Sequence, residues 1–157
     1  MLLELKIKLS SHFLGGEPKD HRGVRCLKRK SKEEIEIDSR LFLRNLEKAS
    51  KDLGYDVDLS NSVKLPTSFY APTVRLVKRT YQAGRTDTFE GFVKNSEITF
   101  LIVLDNTVEK APTLQQLQNI MSIMGQFYGY SQFGMKFGLG RFDVVHLKPR
   151  FAEQNEE

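Results

Sequence analysis

The sequence is poor in several features that mark whole classes of protein. Its single cysteine, Cys26, excludes an internal disulfide and fits a reducing cytoplasm. The longest apolar run, FLIVL, is far too short for a transmembrane helix. The first residues, MLLELKIKL, alternate apolar and charged side chains, so they predict a strand rather than a secretion signal. We therefore expect a cytoplasmic protein that has no membrane partner.

Motifs for metals and cofactors are also scarce. His12, His21 and Cys26 are irregularly spaced and no CxxC pair exists, so we expect no metal site. The segment FGLGRF has Asp143 where GxGxxG would need its third glycine, and it precedes a predicted strand rather than a helix. Neither GxxxxGK[ST] nor GxSxG occurs. The sequence therefore predicts no cofactor.

The chain has 157 residues, of which 39% are hydrophobic and 28% charged, as in an ordinary globular domain. We expect one domain over residues 1–150, an insertion at about 19–38, and a polar tail over 151–157. The predicted elements, in chain order, are a strand at 3–9, a charged hairpin at 24–38, a helix at 39–53, a strand at 73–81, a long loop at 82–96, a central strand at 97–105, a helix at 113–128 and a strand at 141–147.

Without the hairpin, the predicted order of elements is β-α-β-β-α-β. That order is typical of a ferredoxin-like α+β fold, in which two helices cover one face of a four-stranded antiparallel sheet. The run EITFLIVLD is apolar at most positions on both faces, which favours the centre of the sheet.

Positive charge is concentrated in the first half of the chain. Residues 1–80 hold 17 Lys and Arg against 11 Asp and Glu, whereas residues 81–157 hold 7 against 9. The densest patch runs from Lys19 to Lys32 and predicts attraction of a polyanion. Its candidate phosphate ligands are Arg22, Arg25, Lys28, Arg29 and Lys30. The alternative is a solvated hairpin whose cations serve only solubility.

Two further sets of cations share a face within a predicted element. Arg40 and Arg44 are four residues apart on the first helix, and Arg75 and Arg79 alternate with Val77 on a strand that ends at Tyr81. Exposed arginine and tyrosine side chains can contact phosphates and stack on bases. The alternative is ordinary amphipathicity, with the arginines paired to nearby carboxylates.

Five glycines lie in GQFYGYSQFGMKFGLGRFDVVHL, between the second predicted helix and the last strand. Gly138 and Gly140 permit positive φ and leave backbone amides open, a geometry that cradles phosphate oxygens. We expect Lys136 and Arg141 to face the same ligand. The alternative is a loop that uses its glycines to bend and its aromatic rings to anchor in the core.

This glycine-rich segment and the order of elements resemble the RAMP superfamily, the repeat-associated RNA-binding proteins of CRISPR systems. The residues that carry the resemblance are Gly134, Gly138, Gly140, Arg141 and Phe142. The resemblance implies a ferredoxin-like fold, binding of CRISPR RNA, contacts with other CRISPR effector subunits in antiviral defence and, in some members, metal-free cleavage of the precursor RNA. Many members have two such units or large insertions, whereas this chain has room for one.

We therefore expect a non-catalytic RNA-binding protein that contacts phosphates through the basic hairpin and the glycine-rich loop. The first alternative is a metal-independent endoribonuclease in which His21 or His12 takes the 2′-hydroxyl proton. The second alternative is a protein-interaction module, such as a phage inhibitor of a CRISPR complex.

Overall fold

The computed structural model describes residues 1–71, 74–81, 83–133 and 138–150. It is a mixed α+β structure with three sheets that are mainly antiparallel and, in the described residues, three α-helices. This confirms the predicted α+β class, although the sequence predicted two helices. None of the described helices is long and apolar enough to cross a membrane.

The first sheet contains the strands β1 (Leu2–Leu9), β6 (Val63–Lys64), β10 (Glu97–Leu104) and β11 (Phe142–Pro149). Their order across the sheet is β11-β1-β10-β6, and all the pairings are antiparallel. Alternate residues of β1 and β10 are buried, which is the pattern of strands with one covered and one open face. The open face exposes Leu101 and Val103, so β10 is not buried on both faces as its composition predicted.

Two helices cover the buried face of this sheet. Helix α1 (Ser39–Asp52) begins at Asp38, whose carboxylate accepts a hydrogen bond from the Leu41 N–H, and α3 is Leu114–Ile123. The predicted capping box of Thr113 and Gln116 is present at the start of α3, and a π-helical turn at Met124–Tyr128 follows it. The third helix, α2 (Leu59–Ser62), is a single turn before β6. Both long helices contribute to one core with β1, β10 and β11.

The second sheet was not predicted as a unit. It contains β2 (Phe13–Leu14), β3 (Val24–Arg25), β8 (Arg75–Thr80) and β9 (Thr86–Phe92). The predicted long loop at 82–96 is wrong, because its middle, Thr86–Phe92, forms β9. The strand predicted at 73–81 exists as β8, but it pairs with β9 rather than continuing the first sheet.

The third sheet corresponds to the predicted charged hairpin only in part. Strands β4 (Arg29–Ser31) and β5 (Glu34–Glu36) form an antiparallel pair, and β7 (Ser68–Tyr70) adds to β5. The residues before the hairpin do not join it, because β3 pairs in parallel with β9. The insertion therefore links two sheets rather than standing as a separate hairpin.

Candidate nucleic-acid interface

The glycine-rich segment is fastened to the rest of the chain by backbone hydrogen bonds. Gly138 and Gly140 both have positive φ, at 73° and 70°. The Gly138 carbonyl accepts a hydrogen bond of 2.6 Å from the Ser11 hydroxyl. The Gly140 N–H donates to the His12 carbonyl at 2.8 Å, and the Gly140 carbonyl accepts from Tyr130 at 2.9 Å. Contrary to the sequence-based interpretation, the amide of Gly140 is therefore occupied within the fold and not open to a phosphate.

The start of this segment is anchored to α1. The Tyr130 hydroxyl accepts a hydrogen bond of 2.7 Å from the backbone N–H of Asp38, the residue that caps α1. Burial raises the pKa of Tyr130 to about 12, so the phenol stays neutral at physiological pH. The loop is thereby held between α1 and the second sheet.

Side chains of the segment also pack on the second sheet. Phe133 makes an edge contact with Phe89, with ring centroids 4.8 Å apart. Leu139 is buried in a small cluster with Leu14, Val77 and Phe89. The predicted ligand Lys136, together with Gly134, lies outside the described residues. The described ends of the loop therefore cover one face of β8 and β9.

The same face carries three predicted ligands. In the strand register, Arg25 pairs with Phe89, Arg79 with Asp87, and Arg75 with Gly91. Paired residues point to the same side of a sheet, so these three arginines share the face on which Phe133 and Leu139 pack. The structure thus brings together cations from β3 and β8 that are about fifty residues apart in the chain.

Aromatic rings hold several of these guanidinium groups. The Arg25 guanidinium carbon lies 5.9 Å from the centroid of the Phe133 ring. Those of Arg79 and Arg85 lie 5.5 Å and 4.8 Å from the Tyr81 ring. Such contacts fix the direction of a guanidinium while leaving its charge in place.

A buried carboxylate organises this cluster. Asp87 is only 3% exposed, and its oxygens lie 2.8 Å from the Lys19 ammonium and 3.6 Å from the Arg85 guanidinium. The hydrogen bond from Lys19 lowers the pKa of Asp87, and the Tyr81 hydroxyl and the Arg85 charge act in the same direction. Asp87 is therefore ionised at neutral pH.

We name this region the cationic face, defined by Lys19, Arg25, Arg75, Arg79 and Arg85, with Asp87 at the end where Lys19, Arg79 and Arg85 meet. It holds five cations against one carboxylate. The sequence pointed to the three arginines on β3 and β8 and placed Lys19 at the start of the basic patch, but it did not predict that Lys19 and Arg85 would meet at Asp87.

The predicted ligands in the basic hairpin are mostly engaged within the chain. Arg22 makes two hydrogen bonds to Asp20, at 3.0 and 2.9 Å. The Lys28 ammonium lies 3.0 Å from Glu36, and the Lys30 ammonium donates to the Thr67 hydroxyl at 3.0 Å. Hydrogen bonds from the Val24 backbone and from Arg22 keep the pKa of Asp20 well below its usual range. Carboxylates therefore compensate the charges of Arg22 and Lys28, whereas the hydroxyl partner of Lys30 leaves its charge in place.

Arg29 is the most firmly paired of these cations. Its guanidinium donates to both oxygens of Glu90, at 2.8 and 3.2 Å, and the two side chains are 29% and 12% exposed. Burial is the largest single influence on the pKa of Glu90 and raises it, but the hydrogen bonds from Arg29 and from the Leu27 backbone N–H together with the Arg29 charge outweigh burial, so the pKa is lowered. The pair connects the third sheet to the second, so Arg29 has a structural role.

Replacing Arg29 with methionine is expected to destabilise the fold by about 1–3 kcal/mol, because Glu90 would remain charged and half-buried without its partner. Lys28→Met removes an adjacent charge whose partner, Glu36, is exposed, so we expect little change in the free energy of unfolding. Urea titration at pH 7 measures both. Equal effects of the two substitutions would contradict the structural role of Arg29.

Arg40 and Arg44 lie one turn apart on the exposed side of α1. With Asp38 and Leu41 they line a shallow depression of about 430 Å³, and neither arginine has an ion pair among the described residues. Arg40 also borders a cleft that contains the carboxylates of Glu17 and Glu36. Those carboxylates weaken the attraction of this surface for an anion compared with the cationic face.

The two candidate catalytic histidines lie in different settings. The ring Nδ1 of His12 accepts a hydrogen bond of 3.0 Å from the Lys94 backbone N–H, so the neutral ring carries its hydrogen on Nε2. Arg141 lies beside it, because its backbone N–H donates to Ser11. His21 stands in an exposed turn and has no hydrogen bond or ion pair with the part of the chain that is described. The backbones of Lys94 and Arg141 therefore lie near His12, and Lys94 was not among the predicted site residues because it was assigned to a loop.

Within residues 1–71, 74–81, 83–133 and 138–150, no three His, Cys, Asp or Glu side chains are arranged to hold a metal ion. In the comparisons with known proteins, no family model and no curated protein matches the chain. The functional conclusion therefore rests on the geometry described above.

Proposed function

We propose that this protein binds single-stranded RNA, without cleaving it, through the cationic face. The observation that carries the proposal is the excess of five cations over one carboxylate on a surface that also presents Tyr81 and Phe133. Guanidinium groups form two-point contacts with phosphate oxygens, and guanidinium planes and aromatic rings are the usual stacking partners of unpaired bases.

We further infer that the first sheet and its helices form a ferredoxin-like unit of the RAMP type. In support, the order β11-β1-β10-β6 is the order 4-1-3-2 when the strands of this sheet are numbered along the chain. The glycine-rich segment lies between α3 and β11, the position that the RAMP resemblance requires. The resemblance extends the proposal to CRISPR RNA as ligand, to other effector subunits as partners and to the cytoplasm as location.

The binding partner can be tested with a fluorescein-labelled oligouridine of about 20 nucleotides, which spans a typical single-strand site. We expect anisotropy to report binding that weakens steeply between about 50 and 200 mM salt. Single-stranded DNA of the same length and a double-stranded RNA serve as competitors. Duplex RNA competing as well as the single strand would contradict base stacking, and no binding at low salt would refute the proposal.

A second candidate function is metal-independent RNA cleavage at His12. The supporting observation is that His12 adjoins the glycine-rich segment, whose Gly140 N–H donates to the His12 carbonyl, so RNA bound there would pass close to the ring. Removal of a 2′-hydroxyl proton would require the Lys94 backbone N–H to release Nδ1, because Nε2 carries the ring hydrogen. Incubation of the labelled RNA with excess protein in EDTA tests it. Products lost in His12→Ala but retained in His21→Ala would favour cleavage, whereas intact RNA with the wild type would support the non-catalytic proposal.

A further inference from the structure

A groove of about 1010 Å³ separates β7 from β10. Strand β6 pairs with β10 only at its end, where Lys64 is opposite Val103 and Val63 is opposite Leu104. Continuing this register would place Pro66 opposite Leu101. Because proline has no N–H to donate, the ladder stops there, and the chain turns away to form β7 beside β5.

The edge of β10 that borders the groove lacks a partner strand. The backbone N–H of Leu104 bonds to Met1, so the even-numbered residues of β10 face β1. The N–H and C=O groups of Thr99 and Leu101 must therefore point the other way, into the groove. No strand of the described chain pairs with them on that side.

The opposite wall of the groove, β7, also has an edge without a partner strand among the described residues. The backbone N–H of Ala71 bonds to Glu33, so the odd-numbered residues of β7 face β5. The backbone groups of Ser68 and Tyr70 consequently point toward β10, again without a partner strand among the described residues. Two strand edges thus face each other across one slot.

The side chains around the slot indicate what would fill it. Tyr70 is 68% exposed and Leu101 39%, so the slot offers apolar surface at its mouth. Arg75 and Arg150 line it and have no ion pair among the described residues, whereas Glu97, the one carboxylate in the lining, is engaged by Lys6 at 3.7 Å. The uncompensated charge is therefore positive.

We propose that an extended acidic segment of a partner protein lies in this groove and pairs with the open edge of β10. Some Cα atoms of β7 and β10 lie within 8 Å of each other, which is less than the roughly 9–10 Å that a strand paired with both would require, so β7 forms the opposite wall of the groove. A peptide strand supplies alternating N–H donors and C=O acceptors, which match the open groups of Thr99 and Leu101. An RNA backbone offers acceptors but no amide donors, so it cannot satisfy the exposed carbonyls in the same regular pattern. The groove shares Arg75 with the cationic face, but strand pairing at β10 does not depend on the proposed RNA binding.

The probe is a fluorescein-labelled peptide of about six residues, a usual strand length, that alternates glutamate and valine. We expect it to bind at least tenfold more tightly than the matched peptide that alternates lysine and valine. A glutamate–valine peptide with N-methylated amides, which keeps its charge but cannot donate, should also bind at least tenfold more weakly. Equal binding of the N-methylated peptide would overturn strand pairing.

Variants of the slot give an independent test. Thr99→Pro removes the N–H that faces the groove while leaving the bonds to β1, so it should reduce peptide binding at least tenfold, and Thr99→Ala should not. Arg150→Glu should abolish the preference for the glutamate peptide over the lysine peptide without relying on a backbone change, because the introduced carboxylate would offset the charge of Arg75. An unchanged preference in Arg150→Glu would overturn the proposal.

Discussion

Replacing Gly140 with alanine is expected to destabilise the fold by at least about 3 kcal/mol, combining the cost of positive φ with steric overlap. A Cβ at this position would lie 1.8 Å from the Tyr130 carbonyl oxygen and 2.3 Å from its carbon. These are backbone atoms, and the same segment holds the Tyr130 hydroxyl against the start of α1. The overlap therefore cannot be relieved by rotating a side chain.

Gly138→Ala is the matched control, because Gly138 has nearly the same φ but no atom of the described residues lies within 4 Å of an added Cβ. We expect it to cost about 1–2 kcal/mol, the penalty of the left-handed conformation alone. Chemical denaturation of both variants separates backbone strain from packing. If Gly140→Ala proved no worse than Gly138→Ala, the close approach of the loop to Tyr130 would be incorrect.

The elements that the sequence predicted correctly are those with a strong local signal. Strand β1 shows strict alternation, α1 has an apolar stripe and an acidic cap, and α3 begins with a capping box. Each of these signals depends only on residues within a few positions of one another. Local patterns were therefore sufficient for the main core.

Strand β9 was missed although it also alternates. Its buried positions are Asp87, Phe89 and Gly91, so two of the three are residues that usually indicate a loop. Asp87 can be buried because Lys19 and Arg85 neutralise its charge. Position 91 requires glycine because a Cβ there would lie 2.2 Å from the Phe13 carbonyl oxygen. Both reasons are tertiary contacts that a local pattern does not contain.

The candidate interface shows the same division. Alternation alone placed Arg75 and Arg79 on one face of a strand. Arg25 joins them because β3 pairs in parallel with β9. Arg29 does not join them, because it is bonded to Glu90. A count of charges along the chain could not show that Arg29 is already paired with a carboxylate.

This distinction leads to the largest effect we expect on binding. Changing Arg25, Arg75 and Arg79 together to glutamine should weaken binding of the oligouridine about 100-fold, if each loses roughly one charge-assisted contact. The slope of log affinity against log salt should fall by about 2, since each phosphate contact on a single strand contributes about 0.7. Glutamine keeps much of the side-chain length, which limits the loss of packing against Phe133.

The control is a second triple variant, in which Arg22, Lys28 and Lys30 are changed to glutamine. It removes the same net charge, but from side chains that already bond to Asp20, Glu36 and Thr67, respectively. We expect it to reduce affinity only a few-fold, through the weaker overall field of the protein. Anisotropy titrations at several salt concentrations, with thermal melts of both variants, make the comparison. Equal losses would mean that the RNA responds to net charge alone; a loss confined to the first triple would tie binding to the surface built by β3, β8 and the glycine-rich loop.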